Sequence, residues 1–239
     1  MKTTAIVLSA GRGTRMNSDV AKQYLPLKGR PVLFYCMDIF QKSFIDEIIL
    51  VCAKEDIEYC KEEIVDKYGF SKVSQIVPGG KERYNSVFNG LCAISDVSGK
   101  ASEESYVFIH DGARPFVDMD MLERVLDEVK VHKACITGVP VKDTIKVSDA
   151  DGFVCDTPNR SSLYQVQTPQ VFEYKLIKDA YKEVLDKEKE LREKGVSITD
   201  DAMIVEAVSD IKVKIVEGSY RNIKITTPED MIVAASFIG

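Results

Sequence analysis

An apolar run, Ala5-Ile6-Val7-Leu8, passes directly into Ser9-Ala10-Gly11-Arg12-Gly13-Thr14-Arg15-Met16. Glycines directly after a strand let backbone N–H groups approach and cradle phosphate oxygens, a task that side chains at those positions would obstruct. A dinucleotide fingerprint needs a third glycine where Met16 stands, and a P-loop needs Gly-Lys-Ser/Thr, so this loop is phosphate-like without being either type. Arg15 and Lys22 add fixed positive charge close to it, which suits a triphosphate whose departing pyrophosphate gains charge in the transition state. Taken alone, a Gly-x-Gly turn also fits an ordinary strand-to-helix connection.

Two further motifs carry chemistry. Gly79-Gly80-Lys81-Glu82-Arg83 precedes a helix containing Asn85, Ser86 and Asn89, where backbone amides and a hydroxyl can hold an anion or a base edge, or simply join a strand to a helix. His110-Asp111-Gly112-Ala113-Arg114-Pro115 ends another apolar run. Asp111, at the carboxyl end of a strand and opposite phosphate-binding groups, is a natural Mg²⁺ ligand, because Mg²⁺ takes one or two carboxylates plus substrate phosphates. The alternative is a capping or turn aspartate. His110 reads as a structural hydrogen-bonder, since phosphoryl transfer is dominated by positioning and electrostatics, and His132 as a surface residue at a helix end. Asp143-Thr144-Ile145-Lys146, Arg160 and Gln167-Thr168-Pro169-Gln170 gather polar and basic groups further on. Thr199-Asp200-Asp201-Ala202 opens a helix whose acids favour the helix dipole. Lys224 precedes the last helix, as a surface charge or as a phosphate ligand.

The elements that must position these residues alternate. Ala5 to Leu8, Glu47 to Ala53, Val73 to Val77, Tyr106 to His110, Ala134 to Val139 and Val213 to Val216 read as strands, several without polar alternation. Helices are predicted over about Pro31 to Gln41, from the N-cap Asp118 through Leu122, Val125, Leu126 and Val129, from Phe172 to Lys194, and after Thr227-Pro228 with Asp230 completing a box. The alternation predicts an α/β fold, one doubly wound, mostly parallel Rossmann-like sheet in a single domain over 1–239. Pro140 to Tyr164 breaks it: Thr144 to Val147 and Phe153 to Asp156 flank the turn Asp149-Ala150-Asp151-Gly152, a hairpin signal. A hairpin with few large apolar residues needs a partner, and a second copy of this chain is the economical one, so 140–164 is expected to be a protruding dimerisation arm.

The chain has 32 Lys plus Arg against 38 Asp plus Glu in 239 residues, a net charge of -6. That balance argues against coating a polymeric nucleic acid but leaves room for a local basic pocket. The longest apolar run, Ile48 to Ala53, is far short of a membrane span, and Met1 to Leu8 has neither the apolar length nor the cleavage site of a secretion signal, so a cytoplasmic protein is expected. The six cysteines, at 36, 52, 60, 92, 135 and 155, form no close Cys-x-x-Cys pair and mostly sit in apolar segments, as reduced core thiols do.

Over nearly its whole length the sequence resembles the cytidylyltransferases of the nucleotide-diphosphate-sugar pyrophosphorylase-like family whose acceptor is methylerythritol phosphate. The resemblance rests on Ala10-Gly11-x-Gly13-x-Arg15-Met16, Lys22-Gln23-Tyr24, Gly79-Gly80 with Arg83 and Ser86, His110-Asp111 with Ala113-Arg114-Pro115, Pro140-Val141-x-Asp143-Thr144-Ile145-Lys146, Thr168-Pro169-Gln170, Thr199-Asp200-Asp201-Ala202 and Asn222-Ile223-Lys224. It implies a nucleotidyltransferase-type sheet and attack of a sugar-alcohol phosphate on the α-phosphate of CTP. Arg15 and Lys22 would then hold the triphosphate, with Lys224 assisting from the opposite side, and Asp111 would bind Mg²⁺. Ala10, Gly11, Gly13, Gly80 and Ser86 would recognise the cytidine. Arg114, Thr144, Arg160 and Thr168 would hold the acceptor, Thr144 and Arg160 arriving on the arm of the partner in a homodimer. The family usually has proline where this chain has Ala21, which loosens the loop presenting Lys22, and alanine where it has Gly112, a small change. A ribitol 5-phosphate cytidylyltransferase is the nearest alternative, and a nucleotide-binding regulator without catalysis is another. Asp143-Thr144-Ile145-Lys146 and Thr199-Asp200-Asp201-Ala202 speak against the first, and the retained Arg15, Lys22, Asp111 and Lys224 against the second.

Overall fold

Apolar runs without polar alternation require cover on both faces, and a computed structural model of the chain, describing residues 1–11, 20–94, 104–187 and 198–238, supplies it. Its strands are β1 (Lys2–Ser9), β2 (Pro26–Leu27), β3 (Arg30–Pro31), β4 (Glu47–Cys52), β5 (Val73–Pro78), β6 (Ser105–Asp111), β7 (Ala134–Pro140), β8 (Val147–Ser148), β9 (Val154–Asp156), β10 (Tyr164–Glu173) and β11 (Lys214–Glu217). The helices are α1 (Val32–Lys42), α2 (Ile57–Tyr59, continued by a π-helical stretch Cys60–Asp66), α3 (Arg83–Ala93), α4 (Met119–His132), α5 (Tyr174–Asp186), α6 (Asp201–Val208) and α7 (Pro228–Phe237).

Seven strands form the main sheet in the order β11-β7-β10-β6-β1-β4-β5. All neighbouring pairs are parallel except the two that β10 makes, with β6 and β7. Side chains alternate between two cores, as the pleat demands. Ala5, Val7, Ile48, Leu50 and Phe108 join α1 and α4 on one face, while Ile6, Ile49, Val51, Val107 and Ile109 join α3, α5 and α6 on the other. The doubly wound α/β fold is therefore as the sequence predicts. The strand order reverses between β1 and β6, so a crevice opens outside their carboxyl ends, where Leu8 is in register with Asp111.

Local signals placed the helices well where side chains cap them. Asp118 Oδ1 accepts from Met121 N at 2.8 Å, and Thr227 with Asp230 forms the box that opens α7 at Pro228. One expectation needs correction. Phe172 belongs to β10, an unforeseen strand, and the helix begins at Tyr174; the predicted continuation over 188–194 lies outside the described residues. β10 escaped because Gln167, Thr168, Pro169 and Gln170 interrupt its apolar pattern, and proline normally demotes a strand. The chain tolerates them through a bulge: Val166 faces Gly138 and Gln170 faces Ile136, so four steps on β10 match two on β7.

The hairpin is present and short. β8 and β9 pair antiparallel around a turn in which Asp149 Oδ1 accepts from Asp151 N and Phe153 N at 3.0 and 2.9 Å, and Gly152 takes a φ of 87° that favours glycine. Phe153 is 73% and Val154 60% exposed, so the arm has no apolar cover within this chain.

Candidate active site

Two cavities open at the carboxyl ends of β1 and β6. The first, about 260 Å³, is lined by Ser9, Ala10, Gly11, Lys22, Gly80 and Ser86 among others; the second, about 310 Å³, by Arg114, Val166, Gln167, Thr168, Gln170 and Thr199 among others. Arg83, Asp111 and Lys224 line both. Residues from three distant segments thus form one wall between two compartments.

The first compartment is shaped by close backbone approach. A Cβ on Gly79 would collide with the Cβ of Ala10, so this glycine lets the β5–α3 turn lie against the residues after β1, while one on Gly80 would collide with Asn85 in the first turn of α3. Gly80 N donates to Ser86 Oγ at 3.0 Å, and Ser86 Oγ donates to Glu82 O at 3.2 Å, tying the turn to the first turn of α3. Glu82 and Asn85 form a capping box there that the sequence reading did not name. Lys22 stands on a 3-10 turn, Lys22–Tyr24, whose next two side chains fasten it to β1: Gln23 Nε2 donates to Ser9 O, and Ser9 Oγ donates to Tyr24 OH at 3.1 Å. Ala21 already adopts φ -60°, the value a proline ring would impose, so the turn has its geometry without that ring. Gly13 and Arg15 lie outside the described residues.

Asp111 is the electrostatic centre of the shared wall. Its Oδ2 meets Lys224 Nζ at 2.7 Å and its Oδ1 meets Arg83 Nε at 3.3 Å. Burial by itself would raise its pKa, but Arg83, Lys224 and Arg114 hold the carboxyl well below the usual carboxylate range. The strand end is held by its neighbours. Gly112 N donates to Leu8 O at 2.8 Å, and a Cβ on Gly112 would lie 2.7 Å from Leu33 Cδ1 and 3.0 Å from Leu8 O, so the alanine usual in the family would need a shift here. Asp111 N donates to Thr168 Oγ1 at 3.0 Å, which the β10 bulge carries into reach.

With that lone pair used, the Thr168 hydroxyl gives its hydrogen to His110 Nδ1 at 3.1 Å, and His110 Nε2–H donates to Arg114 O at 2.9 Å. The hydrogen bonds thus assign a neutral Nε2–H imidazole, and complete burial pushes its pKa down to about 4. His110 is a structural hydrogen-bonder, as the sequence suggested, and Thr168 organises the strand end while lining the second compartment.

In that compartment Arg114 Nη1 donates to Asn222 O at 2.8 Å and Nη2 more weakly to Val166 O at 3.4 Å, while its buried Nε has no partner among the described residues. Desolvation lowers its pKa. Lys224 is brought in by anchoring on either side of it: Ile225 N donates to Ala113 O at 2.8 Å, and the Asn222 side chain donates through Nδ2 to Thr168 O at 2.9 Å. Its side chain is part-exposed, pairs with Asp111 and lines both cavities. Thr144 and Arg160 line neither cavity of this chain; both are exposed on the arm, with Arg160 Nη1 donating to Lys142 O at 2.9 Å.

Sequence reasoning missed the partner of Arg83. Asp201, fully buried, receives Nη1 and Nη2 of Arg83 on its two oxygens at 2.8 and 2.7 Å, and Tyr181 OH donates to it as well. Asp200 caps α6 through Met203 N at 3.0 Å, so the dipole reading of the two acids holds for Asp200 and falls short for Asp201. A signal existed: Arg83 shares a helix stripe with the buried Val87 and Leu91, and a cation there demands a counter-charge.

Comparison with known proteins identifies the family. The family model of 2-C-methyl-D-erythritol 4-phosphate cytidylyltransferase, IspD, matches residues 3–239. The chain is 47% identical over 237 residues to the 2-C-methyl-D-erythritol 4-phosphate cytidylyltransferase of Lachnoclostridium phytofermentans, covering 99% of this chain and 96% of that protein. It is 44% identical over 239 residues to the enzyme of the same name from Caldanaerobacter subterraneus subsp. tengcongensis, covering 100% and 99%. The crystal structure of 4-diphosphocytidyl-2C-methyl-D-erythritol synthase from Anaerococcus prevotii superposes with a TM-score of 0.82 at 38% identity, covering 99% of this chain and 96% of that one. A glycine-lined compartment and a cationic one, joined by Asp111 and Lys224 along a chain that matches from end to end, place this protein in the 2-C-methyl-D-erythritol 4-phosphate cytidylyltransferase family.

Proposed function

We propose that the chain is a Mg²⁺-dependent cytidylyltransferase that joins CTP to 2-C-methyl-D-erythritol 4-phosphate, releasing pyrophosphate and forming 4-diphosphocytidyl-2-C-methyl-D-erythritol for isoprenoid biosynthesis. The observation that carries the reading is the shared wall of Arg83, Asp111 and Lys224 between two cavities, one for the nucleotide and one for the acceptor phosphate. An acceptor phosphate oxygen attacks the α-phosphorus from the second compartment; its bond forms as the bond to the β-phosphate oxygen breaks, and the electron pair leaves with pyrophosphate. Lys22, on its clamped turn, and Arg15 hold the triphosphate and stabilise the charge that grows on the leaving group. Lys224 steadies the same centre from the opposite side. Ala10, Gly11, Gly13, Gly80 and Ser86 enclose the cytidine. Arg114 and Thr168 face the acceptor, and the partner subunit's arm supplies Thr144 and Arg160, completing a homodimer.

Among the described residues no group of three or more His, Cys, Asp or Glu converges as a metal cage. A lone carboxylate beside cavities for phosphates suits Mg²⁺, which keeps waters and takes substrate oxygens. Asp111 would hold it, and when bound the ion neutralises charge on the phosphates. The acidic net charge of -6 fits small nucleotides rather than polymers, and a cytoplasmic location fits a chain in which, among the described residues, no helix is long and apolar enough to cross a membrane. Pyrophosphate release from CTP and Mg²⁺ is expected only when 2-C-methyl-D-erythritol 4-phosphate is added. Equal or faster release with ribitol 5-phosphate would overturn the acceptor, and no release with either would favour a regulator.

A further inference from the structure

Arg83 is shared unequally between two carboxylates. Asp201 takes both terminal nitrogens in a fork at 2.8 and 2.7 Å, whereas Asp111 receives only Nε, at 3.3 Å. A two-pronged guanidinium–carboxylate pair is the stronger arrangement, so the fork decides where the side chain rests. Asp201 is itself immobilised. It is fully buried, Tyr181 OH donates to its Oδ1, and the N–H groups of Asp201 and Ala202 donate to Gln170 Oε1 at 3.0 and 3.1 Å, locking the start of α6 to β10. A second anchor beside α3 therefore pulls the guanidinium off the centre of the site.

We propose that Asp201 is a positioning residue: by holding the fork of Arg83 it stops that arginine from closing on Asp111 and leaves the Asp111 carboxylate open to the metal-bound nucleotide. The inference rests on the reading of Asp111 as the metal ligand. Without the Asp201 charge, the carboxylate among the described residues that already pairs with Arg83 is Asp111. Arg83 would then compete with the metal for the same oxygens. Lys224 competes at Oδ2 already, but as a single point charge on a flexible stem it yields to a divalent ion more readily than a fork does.

The test is the factor by which Mg²⁺ tightens CTP binding, taken as the ratio of dissociation constants measured by titration calorimetry with EDTA and with Mg²⁺, in the absence of acceptor. Asp201→Asn is expected to reduce that factor roughly tenfold, the usual scale for a residue that orients a metal ligand. Adding Arg83→Gln to it removes the captor, and is expected to restore much of the lost factor, whatever it does to CTP affinity itself. A purely structural Asp201 would weaken CTP binding equally with and without metal, leaving the factor unchanged, and that result would overturn the proposal; so would a double variant no better than Asp201→Asn. Should Asp201→Asn fail to fold, the double variant carries the test alone, because a factor far below wild type with no captor present contradicts the proposal. Asp111→Asn separates the two layers: a wild-type factor there would overturn the metal reading beneath the inference, whereas loss of the factor there with no effect of Asp201→Asn would overturn the inference only.

Discussion

Lys22 and His110 show two ways a single side chain serves this site. Lys22 is presented by a turn whose neighbours Gln23 and Tyr24 are fastened to Ser9, and it lines the first compartment. Help that grows with leaving-group charge acts on the transition state more than on bound CTP. Lys22→Ala is accordingly expected to lower kcat on the order of 10²–10³-fold while changing the calorimetric Kd for CTP far less. Matching losses in binding and kcat/KM with kcat unchanged would contradict that role. His110 works by staying neutral. Its folded pKa of about 4 lies below the ordinary 6.5, so between these values the unfolded chain binds the extra proton and stability falls as pH drops through 6.5 towards 4. The gap, 6.5 minus 4, corresponds to about 3 kcal/mol for the metal-free protein. Asp111, whose pKa is also depressed, adds its loss only below the carboxylate range, so the windows separate. Urea midpoints of His110→Asn should vary less between pH 6.5 and pH 4.5 than those of wild type; an unchanged slope would mean another group titrates.

At the scale of elements, the site depends on how strands end and helices begin. α7 begins where Asp230 Oδ2 accepts from Thr226 N, Thr226 Oγ1 and Thr227 N at 2.8, 2.8 and 2.9 Å, and this cap lies just after the segment bearing Lys224. Asp230→Ala leaves three donors without that carboxylate and is expected to cost about 1–2 kcal/mol in urea unfolding. It should also lower kcat, since the Lys224 segment loses one of its anchors; a loss of stability with kcat unchanged would show that Ile225 and Asn222 hold the lysine unaided. These same elements show what was legible in the sequence. Thr227, Pro228 and Asp230 mark a helix start from local chemistry, and Asp111 at the end of an apolar run declares a strand edge, because both signals are contained within a few residues. β10 was not legible, for its bulge and its proline erase the period of two. Nor was the pairing of Arg83 with Asp201, since partners 118 residues apart meet only after α3 and α6 pack on one face of the sheet.

For the whole molecule, the exposed arm is the decisive feature. Phe153, Val154, Val147 and Ile145 stand between 40% and 73% exposed, and two short strands with no core of their own are not stable against water unless something covers them. Thr144 and Arg160 ride on this arm, away from both cavities of their own chain. If the arm crosses to a second copy, each site is built from Lys22 of one protomer and Thr144 and Arg160 of its partner, and two different defects can complement each other. A chain carrying Lys22→Ala and a chain carrying Thr144→Ala with Arg160→Ala should each be nearly inactive as homodimers. After the two are mixed and allowed to exchange, every heterodimer holds one site with both defects and one with neither. Equal mixing makes half the dimers heterodimers, so about a quarter of all sites become intact, and activity should rise to roughly a quarter of wild type. Activity that stays at the sum of the two parents, in a mixture shown by sedimentation to contain exchanged dimers, would mean that the arm serves its own chain; sedimentation of the wild type as a monomer alone at micromolar concentration would remove the shared site altogether.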